Sequence, residues 1–397
     1  MVREIGAFVH AVHARRLGSI SQTRYEIVGP YQVCTASGVI EAVPVGSVLL
    51  APRFIGVCQA DVRYIAGLRP PEILRERLPM APFHEGVAEV LETGPGVNSL
   101  TPGQRVVVVP NIPCYVHDPL RYPSKDSACL ACRPGGAGEN YCIDVVFLAS
   151  NAHGLAQSCF LHPAEALLPV PEEVPDEIAA LAEPLSVAWA AIEASSLTTD
   201  AKVLVLGAGV MGFLTTFLLA HACGLPRECL VVSDLDAARL ERVQDWASTC
   251  LATGKAPPHA GSFSRVFECV GGRASATTIQ QAIDWLMPGG VCVLIGVSEE
   301  SVPVRTRRVL DKGLSLRGTT RSARTHFAAI MPFLADRRFQ EYLRRVFSGR
   351  VFPGHSCEAI VAAARAAADP QQYGKVFLDW RARSACGIPR QPSVHPP

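Results

Sequence analysis

With 397 residues, of which 49% are hydrophobic and 18% charged, the chain is too long for one ordinary core and reads as a well-packed globule of two domains. Its 37 basic residues against 36 acidic ones leave a net charge of +1, which excludes nucleic acid and a charged membrane surface as partners. No apolar run approaches the ~20 residues that span a bilayer, and the first residues lack a hydrophobic segment with a small-residue cleavage site. The expected location is cytoplasmic, with the fourteen cysteines as thiols and metal ligands rather than disulfides.

Residues 1–24 carry Arg and His with little periodicity and are expected to form an N-terminal extension. From Tyr25, short β-type runs follow one another: YEIVGPYQV, SGVIEAVP, SVLLAPRFIGV, GVAEVLETG and QRVVVVP. Gly, Pro and Asn separate them, which predicts a compact, barrel-like β domain. An irregular stretch rich in Cys, Pro and Gly runs from Asn111 to Cys142, and a Pro-flanked linker then gives way to helical sequence around Glu183. From Lys202, strands and helices alternate in the pattern of a doubly wound parallel sheet, and helical stretches beyond Arg321 end in a last strand, GKVFLDW. The expected order is a catalytic β domain over 25–183, a dinucleotide-binding domain over 184–320, a return segment of the first domain over 321–380 and a loose tail over 381–397. A cleft between two such domains is a usual home for a ligand.

The stretch Lys202 to Gly212, KVLVLGAGVMG, delivers a β-branched strand into a glycine turn and leaves it as a helix opening on Val210 and Met211. Gly207 permits the sharp turn, Gly209 lets the backbone approach a pyrophosphate, and Gly212 lets helix and strand pack closely. A second apolar run, CLVVSD, ends on Asp234, whose carboxylate would accept hydrogen bonds from an adenosine ribose.

Two stretches of the first domain and one at its end carry metal chemistry. Cys58 sits in GVCQADVRY, His84 and Glu85 in PFHEGVAEV, and Glu183 in LAEPLSVAWAA. Thiolate, imidazole and carboxylate form a zinc set that keeps one position open for catalysis, and Asp61 is placed to orient the ring of His84. Singly, each of these residues reads as an ordinary buried cysteine or a hydrogen-bonded histidine.

Taken in order, Cys-x-x-Asp, His-Glu-Gly, Glu-Pro-Leu-Ser-Val and the glycine turn resemble the zinc-dependent medium-chain dehydrogenases, with the Glu183 segment most like their polyol dehydrogenase branch. Within that superfamily the segments CQADVRYIAG, LPMAPFHEGVAEV, VVVVPNIP, FECVGGRAS and Ile295 to Phe327 are similar to the ribulose-5-phosphate reductases that make ribitol 5-phosphate for teichoic acids and capsules. The likeness covers Tyr31 to Trp380.

The resemblance implies an α/β chain with a GroES-like β-rich catalytic domain and a Rossmann domain, assembled as a homodimer or homotetramer. It implies a catalytic zinc on Cys58 and His84, with Glu85 or Glu183 as third ligand, polarising the carbonyl of a ketose that a nicotinamide reduces. Where alcohol dehydrogenases carry a relay hydroxyl two residues after the zinc cysteine, this chain has Ala60, so the proton takes another route, by way of a water held by Glu183. Arg63, followed by Tyr64, stands where polyol and alcohol dehydrogenases have His, and its guanidinium could fork onto a substrate phosphate or pair with a neighbouring carboxylate. Arg321 in TTRSART is a second phosphate candidate, or faces the cofactor. Cys114, Cys129, Cys132 and Cys142 resemble the four-cysteine structural zinc lobe of many relatives, although the gap from Cys114 to Cys129 is longer than usual and the reductases that match elsewhere often lack the set.

Three functions therefore compete: a reductase of D-ribulose 5-phosphate, a dehydrogenase of an unphosphorylated polyol, secondary alcohol or cyclitol, and a nucleotide-binding regulatory protein without chemistry. Retention of Cys58, His84 and Glu183 together speaks against the third. The reductase resemblance implies NADPH, whereas Asp234 repels a 2′-phosphate, so NAD(H) is expected, with NADP(H) as the alternative.

Overall fold

A computed structural model describes residues 15–381 apart from Lys255. The expected tail, beyond Arg381, and the first fourteen residues of the expected extension lie outside the described residues. The rest of that extension is regular. Arg15–Gly29 is strand β1, paired antiparallel with β2 (Gln32–Val43) across a two-residue turn of Pro30 and Tyr31. Its pattern is weak because few of its described side chains, Ile20, Tyr25, Glu26 and Ile27 among them, are buried. The two strands pair along an antiparallel ladder closed by a turn in which Tyr31 takes a φ of 53°, and Ile27 N–H ties β1 to the Met80 carbonyl at 2.9 Å.

The catalytic domain is built on β3 (Ser47–Gly56), which pairs with β4 (Glu85–Thr93). Next come β5 (Arg105–Val108), the short pair β6 (Asn111–Ile112) and β7 (Val146–Phe147), β8 (Phe160–Pro163) and β9 (Leu167–Pro169). The Rossmann sheet follows as β10 (Val203–Leu206), β11 (Leu230–Asp234), β12 (Ser248–Leu251), β13 (Phe263–Glu268), β14 (Leu286–Leu294) and β15 (Ser315–Gly318). Its order is β12-β11-β10-β13-β14-β15, all parallel, so the winding reverses between β10 and β13, the place where such sheets bind ligands. The chain then returns: β16 (Phe347–Pro353) pairs with β17 (Lys375–Asp379), and β17 lies against β3 in a seven-stranded sheet.

Helix Ala182–Ala194 joins the two domains. Small residues, Ala182, Ser186, Ala188 and Ala191, are buried along it, so it packs closely on both sides. One apolar core runs through it, from Phe54 and Val87 of the first domain to Val203, Phe213 and Phe217 of the second. The cleft is thus set by packing rather than by a flexible linker.

The glycine turn is sterically closed at one point. A Cβ on Gly212 would lie 1.7 Å from the Gly207 carbonyl oxygen. Gly212→Ala is expected to cost about 2–3 kcal/mol through forced displacement of the turn, read as a lower thermal midpoint together with loss of NADH fluorescence enhancement. An unchanged midpoint would contradict this packing.

Candidate functional site

The candidate metal group forms where the end of β3 meets the start of β4. Cys58 caps helix Gln59–Ile65 with extended backbone angles, and its N–H reaches Asp61 Oδ2 at 3.4 Å. The other carboxylate oxygen, Oδ1, accepts from Phe83 N–H at 3.1 Å and faces His84 Nδ1 at 3.2 Å. One buried carboxylate therefore fixes both the helix entry and the imidazole, leaving Nε2 of His84 to point elsewhere. Phe83 holds a φ of 74°, a strained conformation for a bulky residue, immediately before the histidine.

Ligand atoms of Cys58, His84 and Glu85 lie within 4.8 Å of one another. Sulfur, nitrogen and oxygen donors at that spacing suit a tetrahedral zinc with an open position. The electrostatics agree. Burial works against a charge on His84, but the Asp61 carboxylate and the Cys58 thiolate outweigh it and hold the imidazole well above its ordinary pKa. A place that favours a proton on an otherwise buried ring favours a metal cation for the same reason. Burial and the Glu85 carboxylate push the Cys58 thiol up, against His84 and Lys375.

Glu85 stands directly across from Gly56 in the ladder and is clasped by Lys375 Nζ from the start of β17. Lysine and glutamate are both buried, and a Cβ on Gly56 would come within 2.6 Å of Glu85 Oε2 and 2.9 Å of Lys375 Cε. Only glycine leaves room for the pair. Lys375 was invisible to motif reasoning; its one signal is a charged residue directly before the apolar run Val376 to Leu378.

Glu183 stands apart from this group. It sits in the first turn of helix Ala182–Ala194, buried, and is not a member of the close three-residue group. Of the two carboxylates left open as third ligand, Glu85 is therefore the one at ligand distance, because its strand delivers it beside His84 while Glu183 approaches from the interdomain helix. Glu183 nevertheless feels the site. Burial first, then the Glu85 and Asp61 charges, raise its carboxyl to about 7 against the pull of His84 and Lys375. Ser186, one turn on, donates to the Glu183 carbonyl at 2.7 Å and meets Ser322 Oγ at 2.7 Å, tying this helix to the loop that carries Arg321.

Arg321 has a φ of 57° and places its guanidinium 5.9 Å from the ring of Phe147, which in turn packs 5.4 Å from the ring of His84. Its Nη1 is buried with no hydrogen-bond partner. Arg63 is engaged: Nη2 donates to the Val297 carbonyl at 3.2 Å and Nη1 lies 3.6 Å from Glu299.

In the glycine turn, Gly207 has a φ of 92° and Gly209 caps helix Val210–His221. A Cβ on Gly209 would meet nothing within 4 Å, so the turn opens onto empty space at the point where a pyrophosphate would approach, with half-buried Val210 and Met211 behind it. The Asp234 carboxylate is pinned there, accepting from Ala208 N–H at 2.6 Å and Asp236 N–H at 2.9 Å.

The four lobe cysteines come together despite their long spacing, with all ligand atoms within 4.8 Å. Cys129 and Cys142 sulfurs are 3.8 Å apart, and tetrahedral thiolates about 2.3 Å from a zinc stand about 3.8 Å from one another. Cys114 N–H points to Cys142 Sγ at 3.3 Å and Cys129 N–H to Cys114 Sγ at 3.4 Å. Burial pushes Cys129 up, but backbone N–H groups of Ile143, Cys132 and Ala131 outweigh it and bring the thiol to about 6. Just before Cys142, Asn140 and Tyr141 donate across the domain boundary to the carbonyls of Thr320, at 3.4 Å, and Gly318, at 3.0 Å.

Known proteins share this architecture. Residues 44–172 match the alcohol dehydrogenase GroES-like domain and residues 176–360 the glucose dehydrogenase C-terminus. A ribulose-5-phosphate reductase of Bacillus spizizenii is 30% identical over 337 residues, 84% of this chain and 92% of that protein. Rat sorbitol dehydrogenase is 30% identical over 292 residues, 70% of this chain and 75% of that protein. The crystal structure of S. aureus TarJ in complex with NADPH superposes with a TM-score of 0.72 at 25% identity, covering 90% of this chain and 99% of that one.

Proposed function

The chain belongs to the zinc-dependent medium-chain dehydrogenases, and from that membership we propose that it reduces D-ribulose 5-phosphate to D-ribitol 5-phosphate with a nicotinamide cofactor. The observation that carries the reading is the close group of half-buried Cys58 with buried His84 and Glu85, with Arg63 on the helix that Cys58 caps.

Cys58, His84 and Glu85 would hold a zinc ion, which when bound supplies a Lewis acid for the ketone oxygen. Reduction adds a hydride to C2 and a proton to that oxygen. Asp61 keeps His84 oriented, and Lys375 keeps Glu85 in place. Glu183, whose carboxyl burial raises to about 7, would pass the proton by way of a water it holds, in the place of the hydroxyl that Ala60 lacks. Phe147 walls the His84 ring. Arg63 would take the substrate phosphate, and Arg321 faces the cofactor or the phosphate across the cleft.

The cofactor proposed is NAD(H), because the Asp234 charge is fixed by two backbone N–H groups and cannot swing away from a 2′-phosphate. A second zinc on Cys114, Cys129, Cys132 and Cys142 is part of the proposal, as are a cytoplasmic location, which suits the free thiols among the described residues, and a homodimer or homotetramer. No helix among the described residues is long and apolar enough to cross a membrane.

Because Arg63 is engaged by Glu299, a second reading stands beside the first: oxidation of an unphosphorylated polyol, with Arg63 as a structural cation. One assay separates the two. NADH and NADPH oxidation with ribulose 5-phosphate, ribulose and fructose is expected to give a kcat/KM at least about tenfold higher for the phosphorylated ketose and for NADH, the effect of about 1.4 kcal/mol in each comparison. Arg63→Met is expected to raise KM for ribulose 5-phosphate alone. Equal loss on ribulose would favour the second reading.

A further inference from the structure

Arg63 does not meet Glu299 alone. Arg69 Nη1 donates to the same carboxylate oxygen at 2.7 Å, so two guanidiniums converge on one glutamate at the edge of the cleft. The two arginine side chains are partly withdrawn from solvent, at 21% exposure each, while Glu299 is exposed, at 34%. Arg69 lies over the Tyr64 ring at 4.9 Å, and its Nε is buried with no hydrogen-bond partner. The cluster therefore carries a net positive charge and a donor left unused.

Its origins differ. Arg63 and Arg69 belong to the catalytic domain, on and just after helix Gln59–Ile65, while Glu299 and Val297 follow β14 of the Rossmann domain. The arginines repel one another, and burial and the Arg69 charge both lower the pKa of Arg63. A single carboxylate, with one charge shared unequally at 2.7 and 3.6 Å, leaves that repulsion incompletely offset.

We propose that Glu299 is a stand-in for the substrate phosphate: a phosphate monoester displaces it from Arg63 and Arg69, so that phosphorylated substrates are selected by anion exchange. The inference rests on the proposed sugar-phosphate reaction for its substrate, but the anion site stands on the side chains. A phosphate dianion offers two charges and three acceptor oxygens where the glutamate offers one charge, and so satisfies both forks and the idle Arg69 Nε. Arg63 lies on the short helix that Cys58 caps, which places the anion site on the same element as the candidate metal ligand. An unphosphorylated sugar has nothing with which to displace Glu299.

Inorganic phosphate is the probe, titrated calorimetrically into the metal-loaded protein, alongside KM values for ribulose 5-phosphate and ribulose. Glu299→Gln keeps the size and removes the competing charge. It is expected to tighten phosphate binding and to lower KM for ribulose 5-phosphate, each by about five- to tenfold, with KM for ribulose unchanged. Arg69→Met is expected to weaken phosphate binding about tenfold with metal content retained. Unchanged phosphate affinity in Glu299→Gln, or an equal shift of KM for both ketoses, overturns the inference. If phosphate affinities move as expected and ribulose 5-phosphate is not reduced, the anion site stands and the proposed reaction falls. If the reaction proceeds and the affinities do not move, the exchange falls alone.

Discussion

His84→Ala is expected to lose one equivalent of zinc per chain and at least about 10³-fold in turnover, close to 4 kcal/mol of transition-state stabilisation. The loss should be this large because the site has no spare imidazole. Cys58 and Glu85 complete the close group, and Glu183 stands outside it. Removing the ring also leaves Asp61 with a buried oxygen that has lost one of its two partners. Metal analysis of the purified variant beside the wild type decides the matter, with far-UV circular dichroism confirming that the fold persists. Full zinc content in the variant would show that the metal group has been wrongly drawn.

The second large effect is expected at a residue outside the close metal group. Lys375→Met should destabilise the metal-free protein by about 3–5 kcal/mol, the usual result of stripping one partner from a buried ion pair. Burial works against the lysine charge, and the Glu85, Cys58 and Glu183 charges outweigh it, raising its pKa. The ammonium is the counter-charge of the Glu85 carboxylate, and without it that carboxylate is left buried and unpaired. Denaturant midpoints of the chelated protein give the measurement. Lys375→Met combined with Glu85→Gln is expected to recover most of the loss, since the uncompensated charge is gone. Additive losses in the double variant would mean that the two side chains stabilise independently.

The glycine turn, the order of the strands and the metal residues were all legible because each rests on local chemistry. Gly207 and Gly212 declare a turn within six positions, and His84 with Glu85 sits beside the apolar run that becomes β4. What could not be read are partnerships made by the tertiary fold. Nothing near Glu85 announces Lys375, which arrives on the last strand, and nothing near Arg63 announces Glu299, which arrives from the other domain. Which of Glu85 and Glu183 stands closer to Cys58 and His84 was unreadable for the same reason, since one arrives on a strand and the other on a helix. Residues 15–24 failed differently: as one half of a hairpin with few buried side chains, β1 has no strong alternation of its own.

The cysteine lobe has a consequence of another kind. Through Asn140 and Tyr141 it grips the carbonyls of Thr320 and Gly318, the residues that lead into Arg321. It is therefore a strut as well as a knot: two hydrogen bonds from the four-cysteine lobe brace the loop of the other domain that leads into Arg321. Oxidising those thiols would leave every reacting group in place and spoil their aim, so damage to the lobe should register as a loss of alignment long before any loss of fold.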